Sequence, residues 1–78
     1  MDQKIKQDFS IGYNLRRLRD AKGWTQDELA AKLQVKGLDV SRSMISQMEG
    51  GTYNIRISIL ATLKKLYNVS YDEFFKGL

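Results

Sequence analysis

The chain has 78 residues, a formal net charge of +4, 42% hydrophobic residues, and neither cysteine nor histidine. A chain of this length forms one small domain, and its composition excludes a disulfide framework, a thiolate metal site and an imidazole base. No apolar run approaches the ~20 residues of a membrane span and the N-terminus lacks a signal-peptide core, so we expect a cytoplasmic protein with no membrane partner.

Basic residues are concentrated in two parts of the chain. Residues 10–23 and residues 41–67 each contain four basic residues against one acidic residue. This distribution fits a polyanionic partner, and it fits solvated lysine and arginine side chains equally well. Charge alone therefore does not decide what the protein binds.

The first predicted helix follows a polar N-terminal segment. Residues 1–9 are expected to be flexible, and residues 10–78 are expected to form the domain. A helix can begin at Ser10 and end at Gly23, because one face repeats at helical spacing through Ile11, Leu15 and Leu18.

The second predicted helix begins with a capping box. Thr25 and Glu28 have the spacing in which each side chain bonds the other residue's backbone amide. The helix is expected to end near Lys36–Gly37, and its buried stripe is formed by Leu29, Ala30 and Leu33.

The third predicted helix has two chemically different sides. Ser41 is its N-cap and Gly50–Gly51 ends it. On a helical wheel, Met44, Ile45 and Met48 form the apolar side. The opposite side is formed by Arg42, Ser43, Ser46 and Gln47.

Two more helices complete the predicted fold. One runs from Ile57 to Tyr67 with Asn68 as a left-handed terminator, and a short last helix follows a second capping box of Ser70 and Glu73. Since no strand pattern stands out, the sequence predicts an all-α bundle of five helices.

The sequence offers no enzymatic centre. The carboxylate pairs Asp27–Glu28 and Asp72–Glu73 both fall in first turns of helices, where capping and the helix dipole explain them. Gly50–Gly51 follows a helix, which is the wrong context for a phosphate-binding loop. We therefore expect no catalytic residue, no metal, no cofactor and no small-molecule ligand.

The polar side of the third helix has the chemistry needed to read DNA bases. Arg42 can form two hydrogen bonds with guanine, and Gln47 can form two with adenine. Ser43 and Ser46 are small enough for the helix to lie close to the groove floor. An ordinary exposed helix face usually carries Glu–Lys pairs four residues apart, and this face has none.

The region from Ile11 to Phe75, about five-sixths of the chain, resembles the Cro/C1-type (XRE) family of helix-turn-helix regulators. No single motif is specific for this family, but the order and spacing of the matches together are a strong signal. The matching residues are Ile11-Gly12, Asn14-Leu15-Arg16-Arg17-Leu18-Arg19, Lys22-Gly23, Thr25-Gln26, Leu29-Ala30, Leu33, Val40-Ser41-Arg42-Ser43, Ile45-Ser46, Glu49, Gly51, Val69-Ser70 and Asp72-Glu73.

The resemblance implies a lambda-repressor-like bundle in which helices two and three form the DNA-binding motif. It places Arg42, Ser43 and Gln47 at base-reading positions, and Ser46 shares their side of the helix. The residues expected to contact phosphates or to position the reading helix are Gln26, Ser41, Thr52, Tyr53, Asn54 and Arg56.

The sequence departs from the common family pattern at three places. Residues 34–39 stand where most relatives have a single glycine, as in a long-turn variant of the family. Ile55 stands where many relatives have proline. Met44 replaces a common threonine or serine and could lie near a thymine methyl group.

The resemblance also implies an ion pair between Arg19 of the first helix and Glu49 of the third. On the wheel Glu49 lies at the edge of the apolar side, which is an unfavourable position for an unpaired charge. We therefore expect a largely buried pair. The alternative is that both side chains are solvated.

The fourth helix has more apolar surface than one core needs. Its apolar arc spans roughly 220° at 100° per residue, whereas one buried face needs ~100° or somewhat more. The excess predicts a two-fold contact with a second chain that involves Ile55, Ile59 and Tyr71. The alternative is that this surface covers the last helix within one chain.

Together these features predict a sequence-specific double-stranded DNA-binding transcriptional regulator. We expect a repressor that acts as a homodimer on a near-palindromic operator. The alternative is a protein-interaction module, such as an antitoxin-like partner, whose helices bind another protein and not DNA. A membrane-surface helix over residues 10–22 is a weaker alternative, because its apolar face is needed for the core.

Overall fold

The computed structural model describes Lys4–Ile5, residues 10–52 and residues 54–78. Four α-helices, two short strands and a C-terminal 3₁₀ helix make up the described part of the chain. In chain order they are β1 (Lys4–Ile5), α1 (Gly12–Ala21), α2 (Gln26–Val35), α3 (Arg42–Glu49), β2 (Ile55–Arg56), α4 (Ile57–Tyr67) and the 3₁₀ helix (Tyr71–Phe75).

The capping signals of the two central helices are confirmed. The Thr25 hydroxyl accepts from the Glu28 amide at 3.1 Å, and the Thr25 amide donates to Glu28 Oε1 at 2.9 Å. The hydrogen bond from the Thr25 backbone amide is the main cause that lowers the pKa of the Glu28 carboxyl. The Ser41 hydroxyl accepts from the Met44 amide at 3.2 Å, so α3 also begins where its sequence predicts.

The predicted fifth helix is not an α-helix. Residues Tyr71–Phe75 form a 3₁₀ helix, and the Ser70 side chain makes no capping hydrogen bond. Glu73 instead forms an ion pair with Arg17 of α1 at 3.3 Å. The side-chain amide of Asn14 (Nδ2) donates to the backbone carbonyls of Phe74 at 3.0 Å and Lys76 at 2.9 Å. α1 therefore holds the C-terminal residues in place.

Two strands were not expected from the sequence. β1 and β2 pair antiparallel, with Lys4 opposite Arg56 and Ile5 opposite Ile55. Each strand has two residues, which is too short for a local pattern to reveal. The prediction of a flexible segment over residues 1–9 lies outside the described residues, except for the paired β1.

The core brings together side chains from all four α-helices and from the 3₁₀ helix. It also includes Ile11, Val40 and Ile55, which lie outside these helices. The apolar stripes predicted for the first two helices are buried in it, as are Ile45 and Met48 of the third, whereas Met44 is half-buried against it. Its buried members are Ile11, Leu15, Leu18, Leu29, Ala30, Leu33, Val40, Ile45, Met48, Ile55, Ile59, Leu60, Leu63, Tyr67 and Phe74.

Two residues predicted for a dimer contact lie inside this core, which corrects that part of the prediction. Ile55 is 1% exposed and Ile59 is 0% exposed, whereas Tyr71 is 44% exposed. The apolar arc of α4 is therefore largely covered within one chain. A second chain could not contact either isoleucine without opening the core.

The long connection between α2 and α3 is held by specific hydrogen bonds. Gln34 Nε2 donates to the Val40 carbonyl at 2.9 Å, and the Leu38 amide donates to the Leu33 carbonyl at 3.1 Å. Val40 is fully buried and Leu38 packs against the core. The connection thus adds apolar contacts while α2 and α3 remain packed together.

The contact between α1 and α3 requires a glycine at position 12. A Cβ atom at Gly12 would collide with the Glu49 carbonyl oxygen and lie 2.7 Å from the Glu49 carbonyl carbon. We expect Gly12→Ala to force the two helices apart and lower the free energy of unfolding by about 1–3 kcal/mol. Urea unfolding followed by circular dichroism measures this change.

Tyr13→Ala is the matched control, because that side chain is 77% exposed on the same helix. It should change the free energy of unfolding by about 0.5 kcal/mol or less. Equal stability of the two variants would contradict the close approach of α1 and α3.

Candidate nucleic-acid interface

The polar face of α3 is exposed, and its apolar face is buried. Ile45 and Met48 are each 1% exposed and join α3 to the core. Arg42, Ser43, Ser46 and Gln47 are all exposed on the other side, as their spacing predicts. Ser41 caps the start of α3, and the helix packs against the core by one face only. Its polar side chains therefore project from a fixed helix.

A shallow concavity runs along this face. Its lining residues come from α3 and from the start of α2, and they are Gln26, Arg42, Ser43, Ser46 and Gln47. The proposed base-reading residues are thus brought together, and Gln26 lies next to them. Hydroxyl, amide and guanidinium groups supply both hydrogen-bond donors and acceptors within one small area.

The predicted ion pair between Arg19 and Glu49 is present and bidentate. Arg19 Nε lies 2.7 Å from Glu49 Oε2, and Arg19 Nη2 donates to Glu49 Oε1 at 2.9 Å. The two side chains are only 9% and 6% exposed. The hydrogen bonds to Glu49 raise the pKa of the Arg19 guanidinium, so the charged form is held in place.

The same pair also links the turn after α1 and the start of α2. Arg19 Nη1 donates to the Trp24 carbonyl at 2.7 Å, and Gln26 Nε2 donates to Glu49 Oε1 at 3.1 Å. One carboxylate of α3 is therefore bound by side chains of α1 and α2. This network fixes the angle at which α3 presents its polar face.

Aromatic side chains lie near this network. The rings of Trp24 and Tyr67 are 6.1 Å apart, and Lys32 Nζ lies 4.5 Å from the Trp24 ring centre. The Tyr67 hydroxyl is buried and has no hydrogen-bond partner among the residues that the structure describes. Burial raises the pKa of the Tyr67 phenol, so this group remains neutral at physiological pH.

The predicted phosphate-contacting residues are more dispersed. The Thr52 hydroxyl donates to the Gln47 carbonyl at 3.3 Å and so closes the end of α3, while Asn54 is exposed. Arg56 Nη2 donates to the Asp39 carbonyl at 3.4 Å in the α2–α3 connection. Ser41 is exposed and caps α3, and Tyr53 lies outside the described residues.

Two contacts were missed from the sequence. Asn14 was recognised only as a matching residue, yet it anchors the C-terminal carbonyls. Asp27 was explained by the dipole of α2, yet its carboxylate lies 4.0 Å from Arg42 Nε. Both contacts join residues far apart in the chain, so no local spacing could indicate them.

Among the described residues, no group of three or more potential metal-ligating side chains could hold a metal ion. Within those residues no helix is both long enough and apolar enough to span a bilayer.

Comparison with known proteins identifies the class to which this fold and surface belong. A helix-turn-helix family profile matches residues 15–74, which is most of the chain. The chain belongs to this helix-turn-helix family, the XRE type named above.

One relative is a protein named competence pilus inhibition repressor from Acinetobacter baylyi (strain ATCC 33305 / BD413 / ADP1). It is 36% identical over 67 residues, which cover 86% of this chain and 56% of that protein. The chain therefore spans just over half the length of this relative. No solved structure matches the chain.

The network around Glu49 predicts a large stability effect. Glu49→Ala would leave the Arg19 guanidinium buried without its partner, so the free energy of unfolding should fall by about 3–5 kcal/mol. Urea unfolding at neutral pH measures the loss. In the Arg19→Ala/Glu49→Ala double variant the two effects should be clearly less than additive.

The control is Arg16→Ala on the outer face of α1. Arg16 pairs with Asp20 at 3.7 Å, but these side chains are 69% and 58% exposed. Loss of this surface pair should cost less than about 1 kcal/mol. A similar small cost for Glu49→Ala would show that the buried pair does not hold α3 in place.

Proposed function

We propose that this protein binds specific double-stranded DNA sequences through α3 and represses transcription by occupying an operator. The observation that carries the proposal is the exposed polar face of α3 on a helix anchored by a buried ion pair. The major groove of B-DNA, about 12 Å wide, admits one α-helix, so the polar side chains of α3 would meet base edges.

In the proposed complex, each polar side chain of α3 has a defined task. Arg42 would donate two hydrogen bonds to guanine, and Gln47 would both donate to and accept from adenine. Ser43 and Ser46 would let the helix lie close to the bases, and their hydroxyls can bond to donors or acceptors on the base edges. This arrangement is supported by the exposure of all four side chains around one concavity.

Phosphate contacts would set the orientation of α3 in the groove. Gln26 lies beside α3 and uses one amide N–H on Glu49, which leaves its second N–H for a phosphate oxygen. Ser41, Thr52, Asn54 and Arg56 are proposed as further contacts at the two ends of α3. Tyr53 remains in this proposal on the sequence argument alone.

Repression is proposed from the name of the Acinetobacter relative. Because the chain covers only 56% of that protein, repression rests on the name of the relative alone, whereas DNA binding is supported by the helix-turn-helix family match. Occupation of an operator by a small domain is sufficient to block polymerase, so repression needs no further enzymatic step.

A homodimer is proposed from the apolar surface near the C-terminus. Four apolar side chains in the C-terminal third of the chain are exposed, and they are Ile57 (45%), Tyr71 (44%), Phe75 (47%) and Leu78 (65%). An isologous contact through this surface would bury them. It would also set two copies of α3 about 34 Å apart, one turn of DNA, on a near-palindromic operator.

Base reading is tested by selection of binding sites from random duplexes, followed by affinity measurements on the selected site. Arg42→Ala and Gln47→Ala should each weaken specific binding by about 1–3 kcal/mol and relax preference at one position per half-site. Arg16→Ala, which removes the same charge from the outer face of α1, should leave base preference unchanged.

Salt dependence separates DNA binding from the protein-interaction alternative. A DNA-binding protein should lose affinity for random duplexes steeply between low and physiological salt, because phosphate contacts release counterions. Salt-independent or absent binding to duplex DNA, with no sequence enriched in the selection, would refute the proposed function.

The dimer is tested by sedimentation at micromolar concentration with and without the selected duplex. The wild-type protein should sediment at twice the monomer mass, and Phe75→Glu should convert it to a monomer by placing a charge in the apolar contact. The same substitution should weaken binding to the full operator far more than to a half-site. Tyr13→Glu, at an exposed aromatic residue on α1, serves as the control.

A further inference from the structure

We infer that Asp27 positions the Arg42 guanidinium for guanine and so determines base specificity from outside the reading helix. This inference rests on the proposed function, because it concerns the same surface. Asp27 belongs to the first turn of α2, and Arg42 is the first residue of α3.

The contact between Asp27 and Arg42 is a surface ion pair at the limit of its range. Asp27 Oδ1 lies 4.0 Å from Arg42 Nε, within ion-pair range but too long for a hydrogen bond. Their side chains are 73% and 66% exposed. Neither side chain has a hydrogen-bond partner among the described residues, so each is the other's only charged contact there.

The position of the contact on Arg42 matters chemically. A guanidinium has five N–H donors in a planar fork, and its two terminal nitrogens can together donate to both acceptors of guanine. By charge attraction, a carboxylate near Nε would favour conformations of Arg42 that leave the terminal nitrogens unoccupied. Asp27 would therefore hold Arg42 in a conformation that is ready to bind guanine.

The dipole of α2 explains an acidic residue at position 27 but not its approach to Arg42. The comparison is Asp20, which pairs with Arg16 four residues earlier on one helix. Asp27 pairs instead across two helices and follows Gln26, which is proposed to contact a phosphate. A negative charge at that place opposes binding in general, so its contribution would be to discrimination between bases.

Asp27→Asn tests this role, because it removes the charge and keeps the shape. The measured quantity is the ratio of affinities for the selected site and for a site with adenine in place of the guanine assigned to Arg42. The variant should lower this ratio by about two- to fivefold, the range expected for an exposed ion pair. Its affinity for random duplexes should stay equal or increase, because a repulsive charge is gone.

The Arg42→Ala background provides the decisive control. If Asp27 acts through Arg42, then Asp27→Asn should have no effect on the same ratio when Arg42 is absent. Asp72→Asn, which removes an equal charge from an exposed position in the 3₁₀ helix, should leave the ratio unchanged. Urea unfolding of each variant checks that folding is retained.

The outcomes separate this inference from the proposed function. Absence of any enriched sequence for the wild-type protein refutes both. A guanine preference that depends on Arg42 but not on Asp27 leaves the function standing and overturns the inference. The inference is also overturned if Asp27→Asn removes a preference for cytosine and does so in the Arg42→Ala background as well. Asp27 would then read a base directly.

Discussion

The buried ion pair between Arg19 and Glu49 is the contact on which the arrangement of this small domain depends. It joins α1 to α3 through two short charge-assisted hydrogen bonds. Arg19 also donates to the Trp24 carbonyl, and Glu49 also accepts from the side-chain amide of Gln26. A buried pair of this kind contributes little net stability compared with apolar residues, but loss of one partner is costly. We interpret it as the element that fixes the orientation of α3.

That orientation connects the core to the proposed function. The apolar face of α3 packs through Ile45 and Met48, and Gly12 allows α1 to approach the end of α3 closely. These contacts leave the opposite face, with Arg42 and Gln47, directed outward beside Gln26. Since groove readout depends on side-chain positions, a rigid helix anchored on one face suits this task better than a loop would.

Much of the fold was predictable because its signals are local. The caps at Thr25 and Ser41, the left-handed Asn68 and the apolar stripes of the first three helices follow from short-range spacing. The β1–β2 pair and the Asp27–Arg42 contact were not predictable, because they join distant segments. The assignment of Ile55 and Ile59 to a dimer contact failed because the wheel shows excess apolar surface but not what covers it.

The most direct test of the central claim is transfer of saturation from DNA protons to protein amides by NMR, on the duplex obtained by site selection. This measurement reports direct proximity and is not affected by stabilisation elsewhere in the chain. If the face of α3 enters the groove, the amides of Gln26 and Arg42–Gln47 should lose the most intensity. The largest losses at Tyr71–Phe75, with none in α3, would contradict the account.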